Sequence, residues 1–110
     1  MIEKTNLFAA LPAVGSDAET FTDLLRSDKV RIERIVSTGQ ASPPGFWYDQ
    51  PQGEWVAVLS GAARLRFAEP DRIVELNAGD FLDIPPHVRH RVEWTDPAQP
   101  TVWLAVHYCN

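Results

Sequence analysis

The sequence predicts an all-β sandwich or barrel, and three observations carry that expectation. Short β-branched or aromatic runs recur at intervals of roughly ten residues. Each run is closed by Gly, Pro or an Asp- or Asn-containing turn. Several alternate apolar and polar residues at a period of two, which gives a strand one buried and one wet face. A chain of 110 residues is long enough for one core and predicts a single domain over 1–110.

Taken in order, residues 1 to about 18 read as an N-terminal arm, because Asn6 to Pro12 has apolar surface to dock but no sustained period. Ser16 and Glu19 have the spacing of a helix capping box, yet Thr20, Phe21 and Thr22 favour a strand, and the strand reading is preferred. Val30 to Ser37 is a β-branched strand on which Val30, Ile32, Arg34 and Val36 share a face, read here as the inward one. Gly39 to Gly45, with Ser42-Pro43-Pro44, breaks the ladder and leads into the aromatic run Phe46-Trp47-Tyr48. On the next strand Glu54, Val56 and Val58 face one way, and Trp55, Ala57 and Leu59 the other. Ala63, Leu65 and Phe67 alternate with Arg64 and Arg66, and Glu69-Pro70-Asp71 turns that strand back. Ile73 to Leu76 and Phe81 to Ile84 are short strands, and His90, Val92 and Trp94 then alternate with Arg91 and Glu93. Thr101 to Tyr108 is apolar on both faces, as a strand deep in a sandwich should be.

Composition narrows the function classes. Apolar content of 45% and charged content of 23% are those of an ordinary globular protein and exclude a disordered chain. A net charge of −5 without a basic stripe argues against a nucleic-acid partner. The single cysteine, Cys109, cannot form an intrachain disulfide, so a reducing cytoplasm is the expected compartment. The apolar run Leu7 to Val14 is broken by Pro12 and too short to cross a bilayer, so no membrane association is expected.

Glu54 is followed by Gly61 after six residues, and Gly79, Pro85 and His90 follow one another with five and four residues between. These two motifs, one hairpin apart, resemble those of the cupin superfamily over residues of about 30–108, and the chain is identified as a small single-domain cupin. The resemblance implies an antiparallel double-stranded β-helix, or jelly-roll barrel, with its core at about 30–108. It also implies a divalent metal held by two histidines and a glutamate from the first motif and a histidine from the second. Glu54 and His90 match two of those ligand positions, while Gly61, Gly79 and Pro85 match the turn positions. The two upstream histidines are replaced, by Tyr48 and Gln50 or, one residue earlier, by Trp47 and Asp49. His87 stands where the pattern has a glycine.

The expected metal site is therefore Glu54, His90, Gln50 and Tyr48, with Asp49 and His87 as less favoured ligands. Imidazole with carboxylate suits Zn, Fe, Mn or Ni. Arg34, Trp47, Trp94 and His107 are the expected ligand-pocket residues: guanidinium forks match carboxylates, and aromatic walls give a small molecule its affinity. Each has a plainer reading too, Arg34 as an ion-pair partner of Glu54 or Asp83 and His107 as a core histidine bonded to a carbonyl. Trp55 and Leu59, facing away from Glu54, are expected to contact a second copy in a homodimer. Two functions stand side by side: a metal-dependent enzyme of dioxygenase or isomerase type acting on a small organic molecule, and a non-catalytic cupin that captures such a molecule without metal. No phosphate loop, thiolate cluster or nucleophile beside a base offers a third.

Overall fold

The fold was analysed in a computed structural model that describes residues 2–109. Its strands are β1 (Thr20–Arg26), β2 (Val30–Ser37), β3 (Gly53–Ser60), β4 (Ala62–Phe67), β5 (Arg72–Asn77), β6 (Phe81–Ile84), β7 (His90–Thr95) and β8 (Thr101–Tyr108). They form a five-stranded sheet in the order β1-β2-β8-β3-β6 and a three-stranded sheet in the order β5-β4-β7, antiparallel throughout. This is the jelly-roll barrel expected from the motifs. The strand preference at Thr20 is met, and the strands Val30–Ser37, Phe81–Ile84 and Thr101–Tyr108 have the expected bounds.

The core explains the strand patterns. Val56, Val58, Trp103 and Ala105 of the larger sheet meet Ala63, Leu65 and Leu76 of the smaller, all buried. β8 is apolar on both faces because it lies mid-sheet, with the lumen on one side. On its other side Val102 is fully buried, as is its β2 partner Val36. The arm is pinned over this outer side, where Arg34 donates to the carbonyls of Leu7 at 3.2 Å and Ala9 at 2.6 Å.

Two phase assignments from the sequence are corrected by this packing. The inward residues of β2 are Arg31, Glu33 and Ile35, which line the lumen, so Arg34 and Val36 face the arm. A period of two separates the faces of β2 but does not say which is the lumen when both are covered. On β7 the alternation also slips. Leu65 pairs with Val92 but Arg64 pairs with Trp94, so Glu93 is an extra residue on that strand. This bulge turns Trp94 outward, where the Arg64 guanidinium sits 4.5 Å from its ring, and brings buried Thr95 inward.

The larger sheet grades from polar to apolar along the barrel. One cross-strand row is Arg31, His107, Glu54 and Ile84; the next is Glu33, Ala105, Val56 and Leu82; the third is Ile35, Trp103 and Val58. Polar chemistry is thereby confined to one end and the dry core to the other.

Between β3 and β4 the chain crosses from one sheet to the other at Gly61, at a φ of 89°. A Cβ there would lie 2.6 Å from Thr101 Cα and 2.8 Å from the Pro100 carbonyl oxygen. Both the left-handed backbone and the contact exclude a side chain. Gly61→Ala is expected to destabilise the fold by about 2 kcal/mol or more, read as a lowered urea midpoint; an unchanged midpoint would show that the crossover is not tightly packed.

Candidate functional site

At its polar end the barrel encloses a cavity of about 320 Å³. Glu54, Gln50, Tyr48, His90 and His107 from the sequence reading all line it. Arg31, Glu33 and Glu19, which were not singled out, line it too, as does Trp103.

His90 opens β7 and is buried at 6% exposure. Its Nδ1 lies 2.9 Å from the Val88 carbonyl oxygen. A carbonyl can only accept, so Nδ1 carries the hydrogen, and in its neutral form the ring presents a lone pair at Nε2. That atom faces Glu54 Oε1 at 3.4 Å, which is also an acceptor when ionised. Gln50 Oε1, on the same cavity wall, is buried with no hydrogen-bond partner among the described residues. Three acceptor atoms with no donor are thus gathered in one cavity, an arrangement that is costly unless a proton, a cation or a ligand donor satisfies it.

Tyr48 and Gln50 come from a loop, which is fastened to the approach to β7. Tyr48 and His90 exchange backbone hydrogen bonds at 2.7 and 3.1 Å, and their rings stack with centroids 5.4 Å apart. The His87 amide donates to the Gln50 carbonyl at 2.8 Å. The phenol of Tyr48 is pushed above its ordinary value, first by burial and then by the charges of Glu19, Glu54 and Glu33. The shift favours the neutral hydroxyl, a usable hydrogen-bond donor. Asp49 and His87 instead meet each other at the surface, Oδ1 to Nδ1 at 2.8 Å, and are 49% and 68% exposed. His87 has a φ of 63°, the left-handed conformation that glycine adopts without strain.

A second polar group occupies the adjoining rows. His107 Nε2 lies 2.8 Å from Glu33 Oε1, and Arg31 donates to Glu33 Oε2 at 2.8 Å. Burial alone would raise the Glu33 carboxyl, but the hydrogen bond from His107 and the charge of Arg31 outweigh it and hold the group below its usual range. Of the expected readings of His107, the carbonyl-bonded core histidine gives way to a carboxylate-bonded one in the cavity wall. Glu19 is anchored through the core: Trp103 Nε1 donates to Ser37 Oγ at 3.0 Å, and Ser37 donates to Glu19 Oε2. In the sequence Glu19 had the spacing of a capping residue, and Glu33 drew no reading of its own. The phase that Glu33 shares with Ile35 and Ser37 on β2 is the signal that could have found it.

Arg34, Trp47 and Trp94 are not brought to the cavity. Arg34 holds the arm and Trp94 packs under Arg64, while Trp47 lies 5.9 Å from the Arg89 guanidinium. Among the described residues no three of His, Cys, Asp or Glu gather as a metal-binding group. Glu54, His90 and Gln50 nonetheless offer one nitrogen and two oxygens, a donor set that suits a first-row divalent ion.

The sequence profile of the cupin domain matches residues 34–107. No curated protein matches the chain. Among solved structures, it is similar to a candidate mannose-6-phosphate isomerase from Ralstonia eutropha JMP134, at 51% identity over 99% of this chain and 100% of that one, with a TM-score of 0.94. An RmlC-like cupin family protein with a double-stranded β-helix fold from Methanocaldococcus jannaschii aligns over 98% and 92% of the two chains, at 18% identity and a TM-score of 0.70. The Fe(II) form of HppE aligns with 82% of this chain and 50% of its own, at 14% identity and a TM-score of 0.69. The last two likenesses concern the fold alone.

Because the Glu33 carboxyl is depressed in the folded state, its contribution is present above the ordinary glutamate value of 4.5 and is lost as pH falls through the lower folded value. Glu33→Gln is expected to lose on the order of 3 kcal/mol at neutral pH. Urea midpoints across pH should show that gap shrinking in acid, and a gap independent of pH would assign it to packing.

Proposed function

Since the chain belongs to the cupin family, we propose that it holds a divalent metal on Glu54, His90 and Gln50 and acts at that site on a small hydroxylated organic molecule. The observation that carries this reading is the meeting of His90 Nε2 and Glu54 Oε1 at 3.4 Å, with unpartnered Gln50 Oε1 in the same cavity. A bound ion would supply Lewis acidity. The chain's own groups do the rest. The Val88 carbonyl fixes the His90 tautomer so that Nε2 faces inward. Tyr48 keeps its hydroxyl proton and can donate to a ligand oxygen. Glu33 orients the His107 ring in the cavity wall, and Trp103, Val56, Leu65 and Val92 exclude water from the cavity's inner side. The class of molecule is supported by the 51% identical structure, whose name refers to a mannose-6-phosphate isomerase.

Capture of a small molecule without metal is favoured by a different observation, the absence of any gathering of three His, Cys, Asp or Glu among the described residues. Elemental analysis of protein purified without added metal separates the two. The metal reading expects one ion per chain, lost in Glu54→Ala and His90→Ala and bound about tenfold more weakly in Gln50→Leu. Substoichiometric metal that is unchanged in the Glu54 and His90 variants would sink it.

A homodimer formed through the outer face of β3 and β6 belongs to the same proposal. Phe81 is 59% exposed there and lies 5.3 Å from the Trp55 ring, while Leu59 is the extra residue of a bulge between Val58 and Ser60. Trp55→Arg should then sediment as a monomer at concentrations where the unaltered chain is a dimer; an unaltered chain that sediments as a monomer would refute the contact. A cytoplasmic location remains part of the reading on the strength of the lone Cys109.

A further inference from the structure

Four side chains of the cavity wall precede residue 34, where the match to the cupin profile begins: Glu19, Phe21, Arg31 and Glu33. The β1–β2 hairpin and its approach supply this part of the wall, and Arg31 is the only lysine or arginine in the whole lining. Arg31 supports Glu33 through one nitrogen. Nη1 donates to Glu33 Oε2 at 2.8 Å and lies 3.5 Å from Asp23 Oδ1, while Nε and Nη2 have no hydrogen-bond or ion-pair partner among the described residues. Those two groups lie side by side on a guanidinium and form a fork that fits a carboxylate or a phosphate. Arg66 shows the same edge in use, its Nε and Nη2 donating to the two oxygens of Asp71 at 2.9 and 3.0 Å. Neither acid on Nη1 depends on Arg31 alone, since Asp23 also accepts from Arg26 at 2.7 Å and Glu33 Oε1 is bonded to His107 at 2.8 Å.

Burial grades along the same wall. The Arg31 side chain is 31% exposed, against 13% for Glu54 and 7% for His90. A charged group therefore loses least hydration at Arg31, and an uncharged hydroxyl or carbonyl suits the deeper end. Arg31, His107 and Glu54 are successive partners in one cross-strand row, so two strand spacings, on the order of 10 Å, separate the backbones of Arg31 and Glu54. One small molecule can span that interval. Glu19, the remaining carboxylate of the wall, is bonded to Ser37, six residues further along β2 and on the order of 20 Å of strand from Arg31.

We propose that the molecule taken carries one anionic group, a carboxylate or a phosphate, which the Nε–Nη2 edge of Arg31 receives at the outer end of the cavity while the hydroxylated end lies at Glu54 and His90. Arg31 is then the residue that selects a charged ligand over its neutral analogue. The proposal rests on the site reading above for the inner end alone, and the Arg31 contact needs no metal.

The test is calorimetric titration of the full chain, metal-loaded and metal-stripped, with D-mannose 6-phosphate, D-mannuronate and D-mannose, which share one ring and differ at C6. At least one of the two anions is expected to bind about tenfold more tightly than mannose in both forms, and the tighter anion identifies the group as phosphate or carboxylate. Arg31→Gln should abolish that preference and leave mannose affinity within about twofold. Arg31→Lys, which keeps a cation beside Glu33 and loses the fork, should narrow it by about threefold. The Arg31 Nε–H resonance, assigned by its loss in Arg31→Lys, should shift saturably with the anion and stay in place with mannose. Equal weakening of all three ligands in Arg31→Gln, as a purely structural arginine would give, overturns the proposal. So does an anion that binds without moving that resonance, or no binding by any of the three. Metal uptake without an Arg31-dependent preference removes this proposal and leaves the metal reading standing; an Arg31-dependent preference in a chain that takes up no metal does the reverse.

Discussion

The register of β8 between β2 and β3 is the constraint on which the rest of this barrel depends. Because β8 is bonded on both edges, His107 is placed opposite Arg31 on one side and Glu54 on the other, and Trp103 opposite Ile35 and Val58. A slip of one residue on any of the three strands would send its polar row to the outer face and expose its apolar row. The same register that packs the dry end therefore assembles the wet one. The small side chain of Ala105, in the row between them, separates Glu33 from Val56 without filling the lumen.

The wet end is energetically unlike the rest of the core. Glu33, His90 and His107 are all buried below a tenth of their surface, and each would be penalised if left alone. Glu33 and His107 solve this between themselves with Arg31, a closed arrangement that needs no ligand. Glu54, His90 and Gln50 do not. His90 Nε2 and Glu54 Oε1 face one another, Gln50 Oε1 lines the same cavity, and no hydrogen bond from the described residues relieves them. That difference marks one group as structural support and the other as the place where something binds.

What could be seen in the sequence follows from the same physics. The spacing from Glu54 to Gly61 and from Gly79 to His90 was legible because each glycine or proline is dictated by a local backbone need, at Gly61 a φ of 89° against the Pro100–Thr101 backbone. The strands were legible from their turns and period. The direction of Arg34 was not, because the arm covers the outer face of β2 and makes both faces look half-buried. Nor was that of Trp94, because a bulge at Glu93 is a property of the pairing with β4 and leaves no mark on β7 alone. Glu19 escaped for a third reason: its place on the cavity is set by a contact with Ser37, eighteen residues away.

The ligands of the proposed site belong to different halves of the barrel. His90 lies in the smaller sheet, and Tyr48 and Gln50 are fastened to its approach by the Tyr48–His90 bridge and the amide of His87. Glu54 lies in the larger sheet. An ion or ligand proton shared between His90 and Glu54 would therefore join the two sheets at the end where the apolar core is thinnest. Whatever satisfies these atoms must also stabilise the folded state, since the unfolded chain cannot bring them together. The left-handed backbone at His87 belongs to the same logic. Its strain is retained where its amide holds Gln50 and its ring holds Asp49, so the loop carrying Gln50 stays in register with His90 even though it belongs to neither sheet.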